Sequence, residues 1–252
     1  MKPKERRSGI LDIIRQEGRV SVDRLVTEFS SSAETIRRDL NKLSKSGKIQ
    51  KIHGGAMLPG PSGEGPYQQR MGENVKAKRL VAQKACELIL PGDTVFIDTG
   101  SSTLSFAEEI IRIDNLTVIT NSAEIARVVS TSANGARVYL LGGEYNSDNH
   151  ETTGSMAVAQ LNCIHANHAV LATGGIDATA GVMDFDLGEA TVARAMLSRA
   201  ENAIVLADSS KFSRIAPFVI GQWDQFNQIV CDSLPGHLLT EALNQHKVEI
   251  VC

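Results

Sequence analysis

The chain has 252 residues, of which 42% are hydrophobic, 4% aromatic and 22% charged, and its formal net charge is −3. This length suffices for one small domain and one larger domain, each with its own core. The charged N-terminus is followed by no long apolar run, so we expect neither a signal peptide nor a membrane span. We therefore expect a cytoplasmic protein.

The charge is unevenly distributed along the chain. Residues 1–58 hold 13 Lys or Arg against 7 Asp or Glu, a net of +6, so the remainder carries −9. A basic segment within a mildly acidic chain favours a polyanion-binding module attached to a second domain.

Two helices and a turn are predicted at the start of the basic segment. Ile10, Ile13 and Ile14 form one apolar stripe at helical spacing, which indicates a first helix. A second helix is predicted to begin at Ser21, and Ser30 with the following serine forms a short turn.

The third predicted helix, over residues 32–43, has one apolar and one basic face. Ser32 is placed to cap it, and Ile36, Leu40 and Leu43 form its apolar stripe. The opposite arc is polar or basic and consists of Arg37, Arg38, Asn41, Lys42 and Lys45. This pattern is typical of a helix that packs on a small core and reads DNA.

A solvated surface helix is the alternative interpretation, because Glu34 could pair with Arg37 or Arg38 one turn away. The neighbouring elements favour DNA. Gly47 is expected to end the helix, and residues 48–53 form a basic strand, which gives three helices and a wing. The residues predicted to contact DNA are Ser32, Glu34, Thr35, Arg37, Arg38, Asn41, Lys42, Lys48, Lys51 and His53.

A linker follows the basic segment. Eight of the 13 residues from 54 to 66 are Gly or Pro, too many for the interior of a helix or strand. We therefore assign residues 1–57 to a winged helix-turn-helix domain, 58–75 to a Gly/Pro-rich linker and 76–252 to a second domain. A helix is predicted over residues 75–90.

Apolar strands alternate with helices throughout the second domain. The predicted strands are 94–97, 116–120, 137–141, 169–172, 203–207 and 229–231. This alternation predicts an α/β fold with a parallel sheet covered on both faces, in which ligands bind at the carboxyl ends of the strands.

The loops at those strand ends have the chemistry of a phosphorylated polyol site. Residues 98–103 offer hydroxyls and backbone N–H groups at a helix start, which favours an anion such as phosphate. Lys211 could add a positive charge, and Asp98 and Asn121 could bind sugar hydroxyls. The alternatives are ordinary helix caps and, for Lys211, a surface ion pair.

Both parts of the chain resemble the DeoR family of bacterial sugar-metabolism regulators. In the first domain the resemblance is carried above all by Thr35-Ile36-Arg37-Arg38-Asp39-Leu40 and His53-Gly54-Gly55-Ala56. In the second it is carried by Asp98, Gly100 to Thr103, Thr120-Asn121-Ser122, Gly142-Gly143, Gly174 to Asp177, Glu189 and Asp208-Ser209-Ser210-Lys211. The resemblance implies a fold shared with ribose-5-phosphate isomerases and coenzyme A transferases, a phosphorylated sugar as inducer, and repression of a catabolic operon.

The loops and the resemblance together give a set of predicted effector contacts: Asp98, Thr99, Gly100, Ser101, Ser102, Thr103, Thr120, Asn121, Gly142, Gly143, Gly174, Gly175, Glu189 and Lys211. Operator DNA, the effector and further copies of the chain are the expected partners, with no membrane, no metal and no cofactor. A sugar-phosphate isomerase is the alternative, with Asp98, Asp184, Glu189 or Lys211 as its reactive groups. The fused basic module has no use in such an enzyme.

The four cysteines, Cys86, Cys163, Cys231 and Cys252, are widely spaced and include no CxxC pair. We therefore expect buried reduced thiols rather than a metal site or a disulfide framework.

Overall fold

A computed structural model describes residues 3–17, 19–45, 49–52, 54–57 and 65–252. The chain divides into two compact units, Met1–Glu73 and Asn74–Cys252. The elements of the first unit are α1 (Pro3–Glu17), β1 (Arg19–Ser21), α2 (Val22–Glu28), α3 (Ala33–Lys45), β2 (Gln50–Ile52), β3 (Gly55–Met57) and α4 (Tyr67–Gly72).

The predicted helices of the first unit are confirmed. Ser21 caps α2, since its hydroxyl accepts from the Arg24 N–H, and the turn after α2 contains Ser30 at a left-handed φ of 44°. The three helices enclose a core of buried aliphatic side chains, which includes Ile10, Ile14, Leu25, Ile36, Leu40, Leu43 and Ile49. Apolar stripes on three short helices therefore suffice for a small core.

The wing is a three-stranded antiparallel sheet in the order β1-β3-β2. Gly55 lies so close to β1 that a Cβ there would stand 2.2 Å from the Val20 carbonyl oxygen, which is why only glycine fits. Strand β1 was not predicted because three residues are too short a run to show a strand pattern. Gly47, Lys48 and His53 lie outside the described residues.

The predicted linker over residues 58–75 contains a helix, α4, for which sequence reasoning made no allowance. Residues 58–64 lie outside the described residues. Pro66 precedes α4 and its carbonyl accepts from the Gln69 and Arg70 N–H groups. Proline has a φ suited to a helix start, so the last proline of the run initiates a helix instead of extending the linker.

The second unit is built on one large parallel sheet. Its helices are α5 (Val75–Cys86), α6 (Ser101–Ile110), α7 (Ala123–Val129), α8 (Ser155–Leu161), α9 (Leu187–Leu197) and α10 (His237–Gln245). Its strands are β4 (Thr94–Ile97), β5 (Thr117–Thr120), β6 (Arg137–Leu140), β7 (Glu144–Asn146), β8 (Glu151–Thr153), β9 (Ala166–Leu171), β10 (Gly175–Asp177), β11 (Gly181–Asp184), β12 (Ala200–Leu206), β13 (Phe218–Gly221), β14 (Gln228–Val230) and β15 (Glu249–Val251).

Seven of these strands form the parallel sheet, in the order β15-β14-β12-β9-β4-β5-β6. The predicted α/β fold is therefore confirmed. The chain first builds the sheet from β4 towards β6 and then returns to add β9 on the other side of β4. The carboxyl ends of β4 and β9 thus form the topological switch point, where ligands bind in such sheets.

Sequence reasoning missed the short strands outside the large sheet and at its far edge. Strands β7 and β8 form a polar hairpin, β10, β11 and β13 form a small antiparallel sheet, and β15 is an edge strand. Strands of only three or four residues give too short a pattern to mark them as strands.

The expectation of reduced thiols is wrong for one pair of cysteines. Cys231 and Cys252 form a disulfide that joins the end of β14 to the end of the chain, with Cα atoms 5.0 Å apart. The two are 21 residues apart in sequence, and only the pairing of β14 with β15 brings them together. Cys86 and Cys163 are free thiols.

No helix in the described ranges is long and apolar enough to cross a membrane. Within those same ranges, no group of three or more His, Cys, Asp or Glu side chains could hold a metal ion.

Candidate functional sites

The start of α3 is fixed by the predicted cap. The Thr35 N–H donates to the Ser32 hydroxyl over 3.2 Å, and the hydroxyls of the two residues lie 2.9 Å apart. Both side chains therefore stand at the first turn of the helix, where residues of a DNA-reading helix meet the base edges.

The two faces of α3 separate as predicted. Ile36, Leu40 and Leu43 are buried, whereas the side chains predicted to contact DNA on the opposite arc are exposed, namely Arg37, Arg38, Asn41 and Lys42. An exposed ion pair joins Arg38 Nη2 to Glu34 Oε1 over 3.0 Å. Such pairs contribute only about 0.3–0.5 kcal/mol, so Arg38 can leave Glu34 for a phosphate or a base at little cost.

Asp39 belongs to the same run of residues but has a structural role. It is 4% exposed, and its two carboxylate oxygens accept from Arg6 Nε over 2.6 Å and from Arg7 Nη1 over 3.3 Å. This pair of bonds fixes α3 to α1. Sequence reasoning overlooked the role because the partners are more than 30 residues away.

The wing contributes one described residue of the predicted DNA contacts. Lys51 is exposed on β2, whereas Lys48 and His53 lie outside the described residues.

In the second unit, the loops after β4 and β9 are fastened together at the switch point. Asp98 Oδ1 accepts from the Ala172 N–H over 2.8 Å. A Cβ on Gly100 would stand 2.5 Å from the Ala172 Cβ, so glycine allows this close approach. At least one oxygen of Asp98 therefore serves the scaffold.

The helix α6 begins directly after this loop. Ser101, Ser102 and Thr103 occupy its first turn and are all buried, although each carries a hydroxyl. The first N–H groups of a helix have no partner within the helix and favour an anion. The order of the residues places these donors at the carboxyl end of β4, as predicted.

A second cluster lies after β5. Asn121 Nδ2 donates to the Thr152 carbonyl over 3.1 Å and to Glu151 Oε2 over 3.4 Å. Asn149 Nδ2 donates to Glu151 Oε1 over 3.2 Å and to Glu189 Oε1 over 2.6 Å. The structure thus brings together Asn121 and Glu189, two predicted effector contacts, through a pair of residues that were not predicted.

Glu151 and Asn149 were missed because they lie on the polar hairpin β7–β8 rather than after an apolar strand. Glu151 is only 1% exposed. A buried carboxylate favours hydroxyl or cationic partners. No signal in the sequence separates it from the many solvated acidic residues of the chain.

A third cluster follows β12. Asp208 Oδ1 accepts from the Ser210 N–H over 3.0 Å and from Asn74 Nδ2 over 3.1 Å. Lys211 closes the 3-10 turn that begins at Ser209, and it is half-buried. Because β12 lies two strands from β4, its carboxyl end is about 10 Å from that of β4.

Besides Gly100, four glycines are predicted effector contacts, and each has a packing reason for lacking a side chain or is bound by a neighbouring side chain. A Cβ on Gly143 would stand 2.4 Å from the Thr153 carbonyl oxygen, and one on Gly175 would stand 2.3 Å from that of Arg214. Gly174 packs against Phe185 in the same way, and Gly142 is paired with the Gln160 amide. Their contact with an effector stays a prediction.

Three polar atoms at the carboxyl ends of three strands are buried without a hydrogen-bond partner in the part of the chain that the structure describes. They are Thr99 Oγ1 after β4, Asn121 Oδ1 after β5 and Asp208 Oδ2 after β12. The three residues are between 1% and 5% exposed. Burying such groups unpaired is costly, so their clustering at one edge of the sheet is a feature of a polar binding site.

Two family models match the chain. The DeoR-like helix-turn-helix domain matches residues 6–61, and the DeoR C terminal sensor domain matches residues 73–233. The glycerol-3-phosphate regulon repressor of Escherichia coli (strain K12) is 30% identical over 250 residues, 99% of each chain. The HTH-type transcriptional repressor GlcR of Bacillus subtilis (strain 168) is 29% identical over 252 residues, 100% of this chain and 96% of that one.

Among solved structures, ribose 5-phosphate isomerase A of Methanocaldococcus jannaschii aligns with 56% of each chain, at 17% identity and a TM-score of 0.42. At that identity the likeness concerns the fold alone.

Proposed function

This chain belongs to the DeoR family of transcriptional regulators, and on that premise we propose that it represses a carbohydrate catabolism operon until a phosphorylated sugar binds its second unit. The full-length relatives are named as transcriptional repressors, so the chain is a regulator rather than an isomerase. We place its action in the cytoplasm, where operator DNA lies.

The DNA-binding part of the proposal is supported by the exposed arc of α3. Thr35, Arg37 and Arg38 lie in the first turns of a capped helix, and Lys51 lies on the wing. Arginine side chains contact guanine edges or phosphates, and the wing lysine contacts phosphate. Each phosphate neutralised adds about 0.9 to the log–log dependence of affinity on salt.

The effector part of the proposal is supported above all by the three unpaired buried atoms. Asn121 Oδ1 and Asp208 Oδ2 are acceptors, and the Thr99 hydroxyl can donate or accept. The hydroxyls of a polyhydroxylated ligand suit such groups, since they can donate to the acceptor oxygens and can bond to the Thr99 hydroxyl. A fully deprotonated anion has no hydrogen to donate to carboxylate or amide oxygens.

In this proposal the phosphate of the ligand binds next to these groups, at the first turn of α6 and Lys211. A cation about 4 Å from an anion contributes roughly 4 kcal/mol gross at an effective dielectric constant near 20. The buried hydroxyls of Ser101 and Ser102 add donors there.

The regulator acts as a homo-oligomer in this proposal, because one winged helix offers too little surface for specific binding. Effector binding to the second units changes the spacing or freedom of the DNA-binding units. Since coupling between sites is reciprocal, operator DNA lowers effector affinity by the factor by which effector lowers DNA affinity.

The test is a thermal-shift panel of phosphorylated sugars and sugar acids, each beside its unphosphorylated form. A ligand at 100 times its Kd stabilises the protein by about 2.7 kcal/mol. We expect stabilisation by phosphorylated compounds only, and its loss in Lys211→Ala. Lys84→Ala is the matched control, since Lys84 is also half-buried but lies in the last turn of α5, before β4 begins.

Stabilisation by unphosphorylated compounds alone contradicts the phosphate part of the proposal. An equal loss of stabilisation in Lys211→Ala and Lys84→Ala contradicts the proposal that Lys211 contacts the phosphate.

A further inference from the structure

The strand β6 is an open edge of the large sheet. It is last in the strand order and, among the strands of the described residues, pairs with β5 alone. The N–H groups of Arg137 and Leu141 donate to the carbonyls of Leu116 and Thr120, each over 2.8 Å. Because backbone groups alternate in direction along a strand, residues 137, 139 and 141 face β5, whereas residues 138 and 140 direct their N–H and C=O groups outward.

The backbone groups just after β6 have a side-chain partner, whereas the outward groups of β6 itself have none among the described residues. The Gln160 side chain accepts from the Gly142 N–H over 3.1 Å and donates to the Gly142 carbonyl over 3.0 Å, as a neighbouring strand would. Within the described residues, no such partner faces Val138 or Leu140. Natural edge strands are protected by charged side chains, proline, a bulge or a short length. β6 is four residues long and begins at the exposed Arg137, but Val138, Tyr139 and Leu140 carry neither a charge nor a proline.

Exposed apolar side chains accompany the open edge. On β4 and β5 three of four residues are buried, whereas none of the four on β6 is. Tyr139 is 54% and Leu140 49% exposed, and shortly after them in the chain Tyr145 is 55% and Met156 66% exposed. We call these four residues the β6 patch. Tyr139 and Leu140 are consecutive, so exposed apolar side chains flank the open edge on both faces of the sheet, which indicates an interaction surface.

We propose that the β6 patch is a homodimerisation surface, on which β6 pairs antiparallel with β6 of a second copy around a two-fold axis at Tyr139. The inference deepens the proposed function, on whose homo-oligomer it rests. The two sheets of seven strands then become one continuous sheet, and open sheets of that size occur in α/β proteins.

The positions of the outward groups favour a second copy as the occupant. Residues 138 and 140 lie symmetrically about Tyr139, so in the antiparallel pair Val138 of each copy stands opposite Leu140 of the other. Each such pair exchanges both of its hydrogen bonds, and all the outward groups of both strands are satisfied.

The side chains and charges are also self-complementary. Tyr139 faces its own copy as a close non-hydrogen-bonded pair, while Val138 and Leu140 pack on the other face of the sheet. The exposed Arg137 precedes the edge and the exposed Glu144 follows it. Antiparallel pairing places Arg137 of each copy opposite Leu141 of the other, three residues before Glu144 in the chain.

The strand alone is smaller than a typical interface of about 800 Å² per partner. Tyr145 and Met156 extend it, since Gln160 Nε2 donates to the carbonyls of both Gly142 and Met156 and so ties α8 to the end of β6. Aromatic residues and methionine are enriched at such interfaces.

The hairpin β7–β8 connects this surface to the effector site. Tyr145 lies on β7, while Glu151 on β8 accepts from Asn121. Thr152 Oγ1 donates to the Leu141 carbonyl over 2.6 Å at the end of β6. A ligand that moves Glu151 or Asn121 therefore also moves the flank of the dimer surface, which is a route by which effector alters the arrangement of the two copies.

A cysteine placed on the axis tests the geometry most directly. In a Cys163→Ser background, oxidation of Tyr139→Cys should give a covalent dimer, because paired Cα atoms about 4.5 Å apart suit a disulfide. Leu140→Cys is the matched control, since residue 140 faces residue 138 of the other copy and not itself. Equal or faster cross-linking of Leu140→Cys would overturn the proposed register.

Sedimentation of the full chain tests the surface independently. Tyr139→Lys opposes two like charges, and Val138→Pro removes an outward donor without removing a bond to β5, so each should raise the dimer Kd at least 100-fold. Leu238→Lys, at a residue 75% exposed on α10, should leave it unchanged. Wild-type mass in both edge variants, or a monomeric wild type, would overturn the proposal. Thermal shifts of the variants by sugar phosphates report the proposed effector function separately.

Discussion

The two units of this regulator carry their functions in different ways. In the first, one helix of 13 residues presents Arg37, Arg38, Asn41 and Lys42 on its exposed arc. In the second, the candidate site draws residues from loops after three strands and from a separate hairpin, with Asn121 and Glu151 30 residues apart. A function carried by one helix can be read from local spacing, whereas a function assembled by a sheet depends on topology. In the first unit, single substitutions should therefore change either DNA affinity or stability. In the second unit, single substitutions at the site should change both ligand affinity and stability.

The largest effect is expected at Asp39, a residue of α3 whose role is in stability rather than in DNA binding. Asp39→Ala leaves Arg6 and Arg7 without their buried partner and should lower the free energy of unfolding of the first unit by about 3 kcal/mol. Denaturant unfolding followed by circular dichroism measures this. Asp23→Ala, at an exposed acid in the first turn of α2, is the control and should cost little.

Arg38→Ala should separate binding from stability. We expect operator affinity to fall about 10- to 100-fold, because one cation at the DNA is lost, while the melting temperature stays nearly unchanged. Fluorescence anisotropy with operator DNA and thermal unfolding provide the two readouts. Arg127→Ala removes an equally exposed arginine of a similar helical ion pair in the second unit and should change neither. A large loss of stability in Arg38→Ala would make this arginine structural.

In the second unit, Glu151→Gln should weaken effector binding about 10-fold, equivalent to about 1.4 kcal/mol, because a buried acceptor at the site becomes a donor. Titration calorimetry with the sugar phosphate found by thermal shift measures it. Glu201→Gln is the control, since Glu201 also accepts from an asparagine amide but is exposed and lies at the amino end of the sheet. Equal losses in the two variants would remove Glu151 from the site.

The prediction with the smallest consequence for function concerns thiol reactivity, which reports on the second unit alone because all four cysteines follow residue 74. Burial and the nearby Glu109 carboxylate raise the pKa of Cys86 to about 12, whereas Cys163 is exposed. The thiolate is the reactive form, so iodoacetamide at pH 8 should alkylate Cys163 first. Mass spectrometry of tryptic peptides identifies the site, and bound effector should slow Cys86 further. Cys86 labelling as fast as Cys163 labelling would contradict this.

The strands of the large sheet could be predicted because they are buried on both faces and read as apolar runs, as in Val95-Phe96-Ile97. The cap at Ser32 could be predicted because capping involves residues within one turn. Sequence reasoning could not find Asn149 and Glu151, since a polar hairpin has no apolar period, nor the link from Asp39 to α1. The Cys231–Cys252 disulfide escaped it because pairing of the last two strands decides which thiols meet.

The disulfide beside β15 affects how many copies of the chain can assemble. This opposite border of the sheet is a strand of three residues that begins at the charged Glu249 and ends against the Cys231–Cys252 bond. Once β6 has paired with its own copy, both outer borders of the combined sheet are such short, charged, fastened strands. These borders differ from β6 in being held by a disulfide, and this disfavours growth of the sheet beyond two chains.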